Sequence, residues 1–302
     1  MRPLMERLAG GEVLVGDGAM GTMLLERGLA PGQAPESVAL SRPELLEEIA
    51  RLYLDAGADV LETDTFGASP LKLELHGLAG ETEAVNREAV RAARRVAEGR
   101  AHVAGSCGPC GRLLEPYGDT PAGAVYEGFL RQIAALAGAG ADCVFIETMT
   151  DLEEAKLAVR AAKEVAPRTP VVATMTFDAT PRGYFTIMGA SVAAAAAGLE
   201  EAGADAVGSN CGNGIEHMIA IAREFRAASR MPLVIQPNAG LPRAAGGRTV
   251  YDETPALLAD RASELVRIGV SIVGGCCGTT PAHIAALRAM VDGLPKGAPP
   301  RR

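Results

Sequence analysis

The sequence predicts a single-domain (β/α)8 barrel of the TIM type. Short runs rich in β-branched and apolar residues recur eight times, and stretches of helical period lie between them. Several of these stretches end in Gly, as helix C-termini do. A strand followed by a helix, repeated eight times, is typical of a parallel sheet that closes into a barrel. A chain of 302 residues can form one such domain.

The eight candidate strands each end in a turn or a polar segment. They are VLVGDGA (13–19), DVLETDTF (59–66), HVAGSCGP (102–109), CVFIETM (143–149), VVATMTF (171–177), DAVGSNC (205–211), LVIQPNAG (233–240) and IVGGCCGT (272–279). Helical period is clearest over 43–57, 151–165 and 255–269. The phrases DAGADV, GAGADCV, EAGADAV and RIGVSIV repeat one junction, in which a helix ends, a Gly turns the chain and the next strand begins.

An open doubly wound sheet is the alternative fold. It needs a GxGxxG turn after the first strand, and GDGAMGT (16–22) matches that pattern only loosely. The barrel is therefore predicted over residues 1–293. The last residues, LPKGAPPRR (294–302), are predicted to be a flexible tail.

Composition and charge narrow the functional class. The net charge is −8 with a sequence pI near 5.2, and the arginines are scattered singly, so nucleic acid is not an expected partner. No apolar stretch approaches the roughly 18 residues that span a bilayer, and the N-terminus does not read as a signal peptide. A cytoplasmic protein without a membrane partner is expected. Its six cysteines are then thiols available for chemistry or metal binding.

Polar residues concentrate where the predicted strands end. In a barrel of this type the reactive face is built from the C-terminal ends of the strands. A polar group at a strand end often only caps a loop or helix, but eight strands here bring acids, amides and thiols to one mouth. These residues are Asp17, Thr63, Asp64, Thr65, Ser106, Glu147, Thr148, Thr176, Asp178, Asn210, Cys211, Gln236, Asn238, Cys276 and Cys277.

Three of these cysteines form a candidate zinc site. Cys211 ends the sixth predicted strand, and Cys276 and Cys277 end the eighth. Catalytic zinc takes three protein ligands and keeps one position open. Adjacent strand residues point to opposite faces, so the pair can meet one ion only if the backbone leaves the pleat, which the glycines at 274, 275 and 278 permit. Buried core cysteines and a strained 276–277 disulfide remain alternatives, and Cys143 suits the core.

Cys107 and Cys110 spell CGPC, a motif shared with thioredoxin-type redox sites. Such a site needs a helix directly after the motif, whereas PCGRLLEPYGDTP indicates a long loop. We interpret the pair as rim or loop residues. The four histidines lie in helical stretches or at a strand start, so none is expected to bind metal.

The chain resembles the homocysteine S-methyltransferase family over residues 12–290. Within it, the likeness is greatest to the homocysteine-binding barrel of cobalamin-dependent methionine synthase. The motifs that carry the resemblance are GDGAMGT (16–22), ETDTFGAS (62–69), GSCGP (105–109), ETMTDLEEA (147–155), GSNCG (208–212), QPNAG (236–240) and GGCCGTTP (274–281). One stretch departs from the family pattern, ATPRGYFTIMGAS after MTFD (175–178), which leaves the shape of the rim near the fifth strand open.

The resemblance implies zinc-dependent methyl transfer to the thiol of L-homocysteine, giving methionine. By that likeness Cys211, Cys276 and Cys277 hold Zn²⁺. Asp17 and Glu147 match the acidic positions that bind the substrate ammonium. The backbone N–H groups from Gly18 through Gly21 to Thr22 suit its carboxylate. Asn238 is a candidate for the fourth zinc position when substrate is absent.

The methyl donor is not encoded in these motifs. GTTP after the cysteine pair most resembles the branch that uses a methylated corrinoid, which implies methylcobalamin on a separate corrinoid protein or module. Betaine and S-methylmethionine are the alternative donors. A zinc or thiol sensor and a barrel lyase or aldolase are the rival functions, and the strand-borne Lys or His-rich rim expected of an aldolase is not visible in the sequence.

Overall fold

Eight parallel strands form the centre of the protein. The computed structural model describes residues 1–30, 32–245 and 248–294. The barrel strands are β1 Leu14–Val15, β2 Val60–Glu62, β3 His102–Cys107, β4 Cys143–Met149, β5 Val171–Met175, β6 Ala206–Asn210, β7 Leu233–Gln236 and β8 Val270–Val273. Their order is β1-β8-β7-β6-β5-β4-β3-β2, and a bridge between Gly16 and Val60 joins the two ends. The predicted (β/α)8 barrel is confirmed.

Helices pack around the strands. They are α1 Leu4–Ala9, α2 Met20–Glu26, α3 Val38–Ser41, α4 Pro43–Asp55, α5 Pro70–Glu74, α6 Thr82–Ala97, α7 Ala122–Gly138, α8 Leu152–Val165, α9 Val192–Ala202, α10 Ile215–Ala228, α11 Pro255–Ile268 and α12 Pro281–Asp292. The three helices predicted most clearly begin and end within two residues of α4, α8 and α11. Single-turn 3-10 helices occur at Pro35–Ser37 and Ala79–Glu81. No helix in these described ranges is both long and apolar enough to cross a membrane.

The repeated Gly-Ala-Asp junction has a structural cause. The glycine takes a left-handed conformation at the end of a helix, as at Gly140 with φ +97°. The aspartate then accepts a hydrogen bond from the backbone of the neighbouring strand: Asp142 Oδ2 binds Val103 N at 2.8 Å, and Asp205 Oδ2 binds Val171 N at 2.7 Å. Each junction therefore ties two adjacent strands together at the N-terminal end of the barrel.

The barrel interior is apolar towards the N-terminal ends of the strands and polar towards their C-terminal ends. Side chains alternate along a strand, so every second residue faces inward. The inward residues of the lower layers are apolar, and Leu4 and Leu8 of α1 pack against them from below. Further along six of the strands lie the inward residues of the top layer, which are Glu62, Ser106, Glu147, Thr174, Asn210 and Gln236.

Most strands are shorter than the runs that predicted them. The run 59–66 contains only the three-residue strand β2, and the run 272–279 overlaps β8 only at Ile272 and Val273. Residues from Gly274 onward form a loop, so the cysteine pair lies beyond the strand.

Two hairpins extend the loops at the mouth. The segment after β5, which differs from the family pattern in sequence, forms one of them, with Asp178–Thr180 antiparallel to Gly183–Phe185. Residues Arg243–Ala245 and Arg248–Val250 form the other. Of the predicted tail 294–302, all but residue 294 lie outside the described residues.

Candidate active site

Three cysteine sulfurs meet at the C-terminal mouth of the barrel. Cys211 directly follows β6, and Cys276 and Cys277 lie in the loop after β8. Their sulfur atoms all lie within 4.8 Å of one another, and Cys211 Sγ is 3.7 Å from Cys277 Sγ. All six cysteines of the chain are free, so the pair 276–277 is not a disulfide. The structure therefore brings together the three cysteines that the sequence singled out.

The loop after β8 explains how two adjacent side chains reach one point. The segment after β7 holds it in place: Cys276 N donates to Pro237 O at 2.8 Å, and Ala239 N donates to Cys277 O at 3.0 Å. Gly278 has φ +78°, and a Cβ there would lie 2.2 Å from the Tyr251 ring. The turn therefore requires glycine, as the sequence predicted for this position.

Cys211 occupies a strained backbone position. Its φ is +60°, in the left-handed region that residues other than glycine rarely adopt. A hydrogen bond from Cys211 N to Gln236 O at 3.1 Å holds this conformation. Backbone strain of this kind clusters at functional sites, where the surrounding structure enforces it.

The three sulfurs fit a tetrahedral zinc ion. With Zn–S bonds of about 2.3 Å, two sulfurs on one tetrahedral zinc lie about 3.8 Å apart, close to the observed 3.7 Å. Hydrogen bonds from the thiols of Cys211 and Cys276 lower the pKa of Cys277, which favours a thiolate. These cysteines are half-buried, whereas Cys143 is wholly buried in the barrel interior, as predicted for a core residue.

A cavity of about 410 Å³ opens beside the sulfurs. Its walls include Asp17, Gly18, Gly21, Thr22 and Glu147, five of the six residues predicted to bind substrate. They also carry three further carboxyl groups, and no Lys, Arg or His belongs to this lining. A cavity with carboxyl groups and thiols but without a cation favours a ligand with a positive charge.

Two of the carboxyl groups are held by hydrogen bonds. Asp17 Oδ2 accepts from Glu62 N at 2.9 Å. Glu147 accepts from Ser106 Oγ, and its Oε2 accepts from Asn210 Nδ2 at 2.9 Å. Burial raises the pKa of both acids, so an ammonium group placed between them would stabilise their charged forms.

Asn238 is buried at 3% exposure in the loop after β7. Its backbone N donates to Asn213 O at 2.9 Å, whereas its Oδ1 has no hydrogen-bond partner among the described residues. A buried amide oxygen normally has a partner. The orphaned oxygen is therefore available to a ligand, although Asn238 is not among the residues that line the cavity.

Cys107 and Cys110 are structural. Cys107 Sγ donates to Gln132 Oε1 at 3.3 Å, and Cys110 Sγ donates to Arg112 O at 3.7 Å. Burial, followed by the charge of Glu154, raises the pKa of Cys110 to about 12. Thiols that remain protonated are poor nucleophiles. Cys110 lies in the loop after β3, whereas Cys107 is the last residue of β3 itself.

Two residues of the site were not predicted as substrate contacts. Glu62 lines the cavity and accepts a hydrogen bond from Gln236 Nε2 at 2.6 Å. Asn210, noted only as a polar strand end, contacts Glu147 and lies 3.9 Å from Cys276 Sγ. The alternation of each strand could have found both, because Glu62 and Asn210 lie two and four residues after the inward residues Val60 and Ala206.

Comparison with known proteins identifies the family. Residues 14–291 match the homocysteine S-methyltransferase family. The chain belongs to this family. A methionine synthase of Mycobacterium leprae is 35% identical over 317 residues, covering 99% of this chain and 26% of the relative. A methionine synthase of Mycobacterium tuberculosis is 34% identical over 299 residues, covering 93% of this chain and 25% of the relative.

The chain thus spans about a quarter of the length of these curated relatives. A solved structure of a homocysteine methyltransferase matches this chain nearly end to end. This is the homocysteine methyltransferase MmuM from Escherichia coli in its metallated form, with a TM-score of 0.79 and 27% identity over 95% of this chain and 99% of that one. The oxidised form of MmuM has a TM-score of 0.78 at 28% identity.

Proposed function

We propose that this barrel transfers a methyl group to the thiol of L-homocysteine, giving methionine, with zinc bound by Cys211, Cys276 and Cys277. One observation carries the proposal: three sulfurs within 4.8 Å of one another border a cavity lined by buried carboxyl groups. Family membership supports it, as do the names of the relatives and the metallated form of MmuM. The reaction is expected in the cytoplasm, where thiols remain reduced.

The zinc ion would activate the thiol of the substrate. A free thiol has a pKa near 8.5 and is mostly protonated at neutral pH, whereas zinc coordination would keep the substrate sulfur as a thiolate. Three cysteinates give the ligand set a high electron density, which favours a reactive fourth sulfur. Asn238, with its unpartnered Oδ1, is the proposed occupant of the fourth position before substrate arrives.

Protein residues hold the amino-acid end of the substrate. Asp17 and Glu147 would bind the ammonium group, since both are buried acids on the cavity wall. The backbone N–H of Ala19 already donates to Thr279 Oγ1 at 3.3 Å. The other N–H groups from Gly18 to Thr22 would bind the carboxylate, because the N-cap residue of α2 makes no side-chain cap to them. Substrate held at both ends presents its sulfur to the cysteine cluster in one orientation.

The methyl group moves by direct displacement. A lone pair of the substrate sulfur forms the new S–CH₃ bond, and the bond between methyl and donor breaks with its electron pair left on the donor. The residues of the cavity orient the sulfur, and no protein group needs to be methylated. Closure of the cavity by a docked donor would also exclude water from the thiolate.

The proposed donor is a methylated corrinoid such as methylcobalamin, carried by a separate protein or module. The GTTP sequence after the cysteine pair and the methionine synthase relatives support this donor. Displacement from it would leave cobalt as Co(I). Betaine and S-methylmethionine are the alternative small donors.

A direct assay tests the proposal. The zinc-loaded protein is incubated with L-homocysteine and methylcobalamin, betaine or S-methylmethionine in turn, and methionine is measured. We expect methionine with methylcobalamin and none from a protein with Cys211→Ser. Stoichiometric zinc without methionine from any donor would contradict the substrate assignment.

Two further variants separate an enzyme from a zinc or thiol sensor. A sensor needs no carboxyl groups for a substrate ammonium, so Asp17→Ala and Glu147→Ala would leave zinc binding and oxidation of the cysteines unchanged. In a methyltransferase both variants raise the KM for homocysteine. Unaltered KM values in both variants would favour the sensor.

A further inference from the structure

A second cavity lies at the opposite end of the barrel from the cysteine cluster. It has a volume of about 680 Å³, and its walls include the starts of strands β3 to β6 and residues 1–6 at the N-terminus. None of the described residues that line it also borders the cavity beside the sulfurs. Sites for small molecules typically have volumes of about 300–1,000 Å³, so this cavity is large enough for a ligand of its own.

His102 brings an unsatisfied nitrogen to this cavity. It is the first residue of β3 and stands in register with Val60, an inward residue of β2. His102 is 3% exposed, and its Nε2 is buried without a hydrogen-bond partner among the described residues. A buried polar group normally has a partner, and leaving it without one costs free energy. The nitrogen on this wall is therefore available to a ligand.

The charges on the walls favour an anion. Four cationic and three acidic side chains belong to the lining, namely Arg2, Arg94, Lys163 and Arg168 against Glu6, Asp142 and Asp205. The chain as a whole has a net charge of −8, and the cavity beside the sulfurs has no Lys, Arg or His in its lining. The positive excess is therefore local to this end of the barrel, where it attracts ligands of negative charge.

Arg168 is the cation that is available to such a ligand. The other three cationic side chains are each paired with a carboxylate, whereas Arg168 forms no ion pair in the part of the chain that the structure describes. The carboxylates of Asp142 and Asp205 are satisfied a second time, because each also accepts a hydrogen bond from a strand backbone. The guanidinium of Arg168 presents several N–H donors in a planar fork, a geometry that suits phosphate and carboxylate groups.

A phosphate group matches these donors better than a carboxylate does. It carries close to two negative charges at neutral pH and has three acceptor oxygens, so it can accept from separate directions. Burial, followed by the charge of Arg7, lowers the pKa of His102, so its ring is neutral at neutral pH. A neutral ring has one N–H group, which Nε2 carries when it donates to a phosphate oxygen.

We propose that this cavity binds the phosphate group of a small molecule, with His102 Nε2 and the guanidinium of Arg168 as donors. Binding here is independent of the proposed methyl transfer, because the two cavities lie at opposite ends of the strands. The ligand is therefore a different molecule from the substrate that the cysteine cluster would hold. No covalent bond is formed or broken when it binds.

The test is a titration of the zinc-loaded protein with inorganic phosphate, followed by NMR of the histidine ring nitrogens at neutral pH. The signal of His102 is identified by its disappearance in His102→Gln. Phosphate should move that signal to a plateau at concentrations up to about 10 mM, whereas the signals of the exposed His76 and His217 should stay in place. Sodium chloride at equal ionic strength should leave the His102 signal unmoved.

Arg168→Gln is the informative variant. It removes the guanidinium from an exposed turn between α8 and β5, so the fold should be kept. The phosphate concentration at half-saturation should rise about fivefold or more, because a charged donor is lost. Arg51→Gln, a change of the same type at an exposed position of α4 outside the lining, should titrate as the wild type does.

Three outcomes would overturn the assignment. One is a His102 signal that phosphate does not move, and another is an Arg168→Gln protein that titrates like the wild type. The third is an equal response to succinate, which would make the ligand group a carboxylate instead of a phosphate. If His102→Gln does not fold, calorimetric titration of Arg168→Gln against Arg51→Gln decides, and equal phosphate affinity of these two proteins would contradict the site.

Discussion

Asn210 Nδ2 donates to Glu147 Oε2 at 2.9 Å, and the same nitrogen lies 3.9 Å from Cys276 Sγ. One amide thus connects the proposed ammonium site to the proposed metal site. Its Oδ1 accepts from Thr148 N at 2.7 Å and from Thr174 Oγ1 at 2.8 Å, so its orientation is fixed. In the proposed function, this bond would hold Glu147 in place relative to the cysteine cluster.

Asn210→Ala should therefore raise the KM for homocysteine by about tenfold or more, because Glu147 loses the donor that holds it. Zinc content, measured by mass spectrometry, should stay near one per chain because the three cysteines remain. Ser209→Ala is the control, since Ser209 Oγ is buried without a hydrogen-bond partner among the described residues. An unchanged KM in Asn210→Ala would show that the link has no role in substrate binding.

Gly18 and Gly21 both border the cavity but differ in the space around them. A Cβ on Gly18 would lie 2.7 Å from Thr279 Oγ1 and 2.9 Å from the Tyr53 ring, whereas a Cβ on Gly21 meets nothing within 4 Å. Gly18→Ala should cost about 1–3 kcal/mol of unfolding free energy. Gly21→Ala should be neutral or slightly stabilising, since Ala favours a helix.

Chemical denaturation of the two variants measures the difference. Tyr53 Oη donates to Ala19 O at 3.1 Å and to Thr279 O at 3.2 Å, so displacement of that ring should also weaken homocysteine binding in Gly18→Ala. Equal stability of the two variants would mean that the region around Gly18 adapts without cost.

Asp64 predicts a dependence of stability on pH. Its Oδ2 is buried and has no hydrogen-bond partner in the part of the chain that the structure describes. Burial, followed by the charge of Glu36, raises its pKa well above the usual value. A carboxyl group with a raised pKa in the folded state favours folding at low pH, and this contribution is lost as pH rises towards the folded-state pKa. Asp64→Asn removes the ionisation and should be the more stable protein at neutral pH.

The expected gain is about 1 kcal/mol, or roughly 2–4 °C in melting temperature, at neutral pH. The gap between Asp64→Asn and the wild type should shrink as pH falls towards about 4, because Asp64 is then protonated in the unfolded chain as well as in the folded protein. Thermal unfolding at several pH values measures it. A gap that grows on acidification would contradict the assignment of Asp64 as a buried acid.

The fold could be predicted from the sequence because the same junction between helix and strand repeats along the barrel. The Gly-Ala-Asp junctions mark where helices end and strands begin, and the structure explains their aspartates as ties to neighbouring strands, such as Asp142 Oδ2 to Val103 N. The strand ends were harder to predict. Apolar and polar residues continue past the last ladder hydrogen bond, so the run 59–66 gave no sign that β2 stops at Glu62.

The candidate site was predictable where motif and strand position agreed. Cys211 and the adjacent pair at 276 and 277 come together as expected. Glu62 was overlooked because polar residues follow it at once, which hid its inward position two residues after Val60.

The central claim is that Cys211, Cys276 and Cys277 bind one zinc ion and leave one position for the substrate sulfur. Zinc-edge X-ray absorption of the loaded protein, with and without L-homocysteine, tests it most directly. We predict three sulfur ligands at about 2.3 Å and one lighter ligand without homocysteine, and four sulfurs with it. Two or fewer sulfurs in the loaded protein, or a sulfur count that homocysteine does not change, would contradict the account.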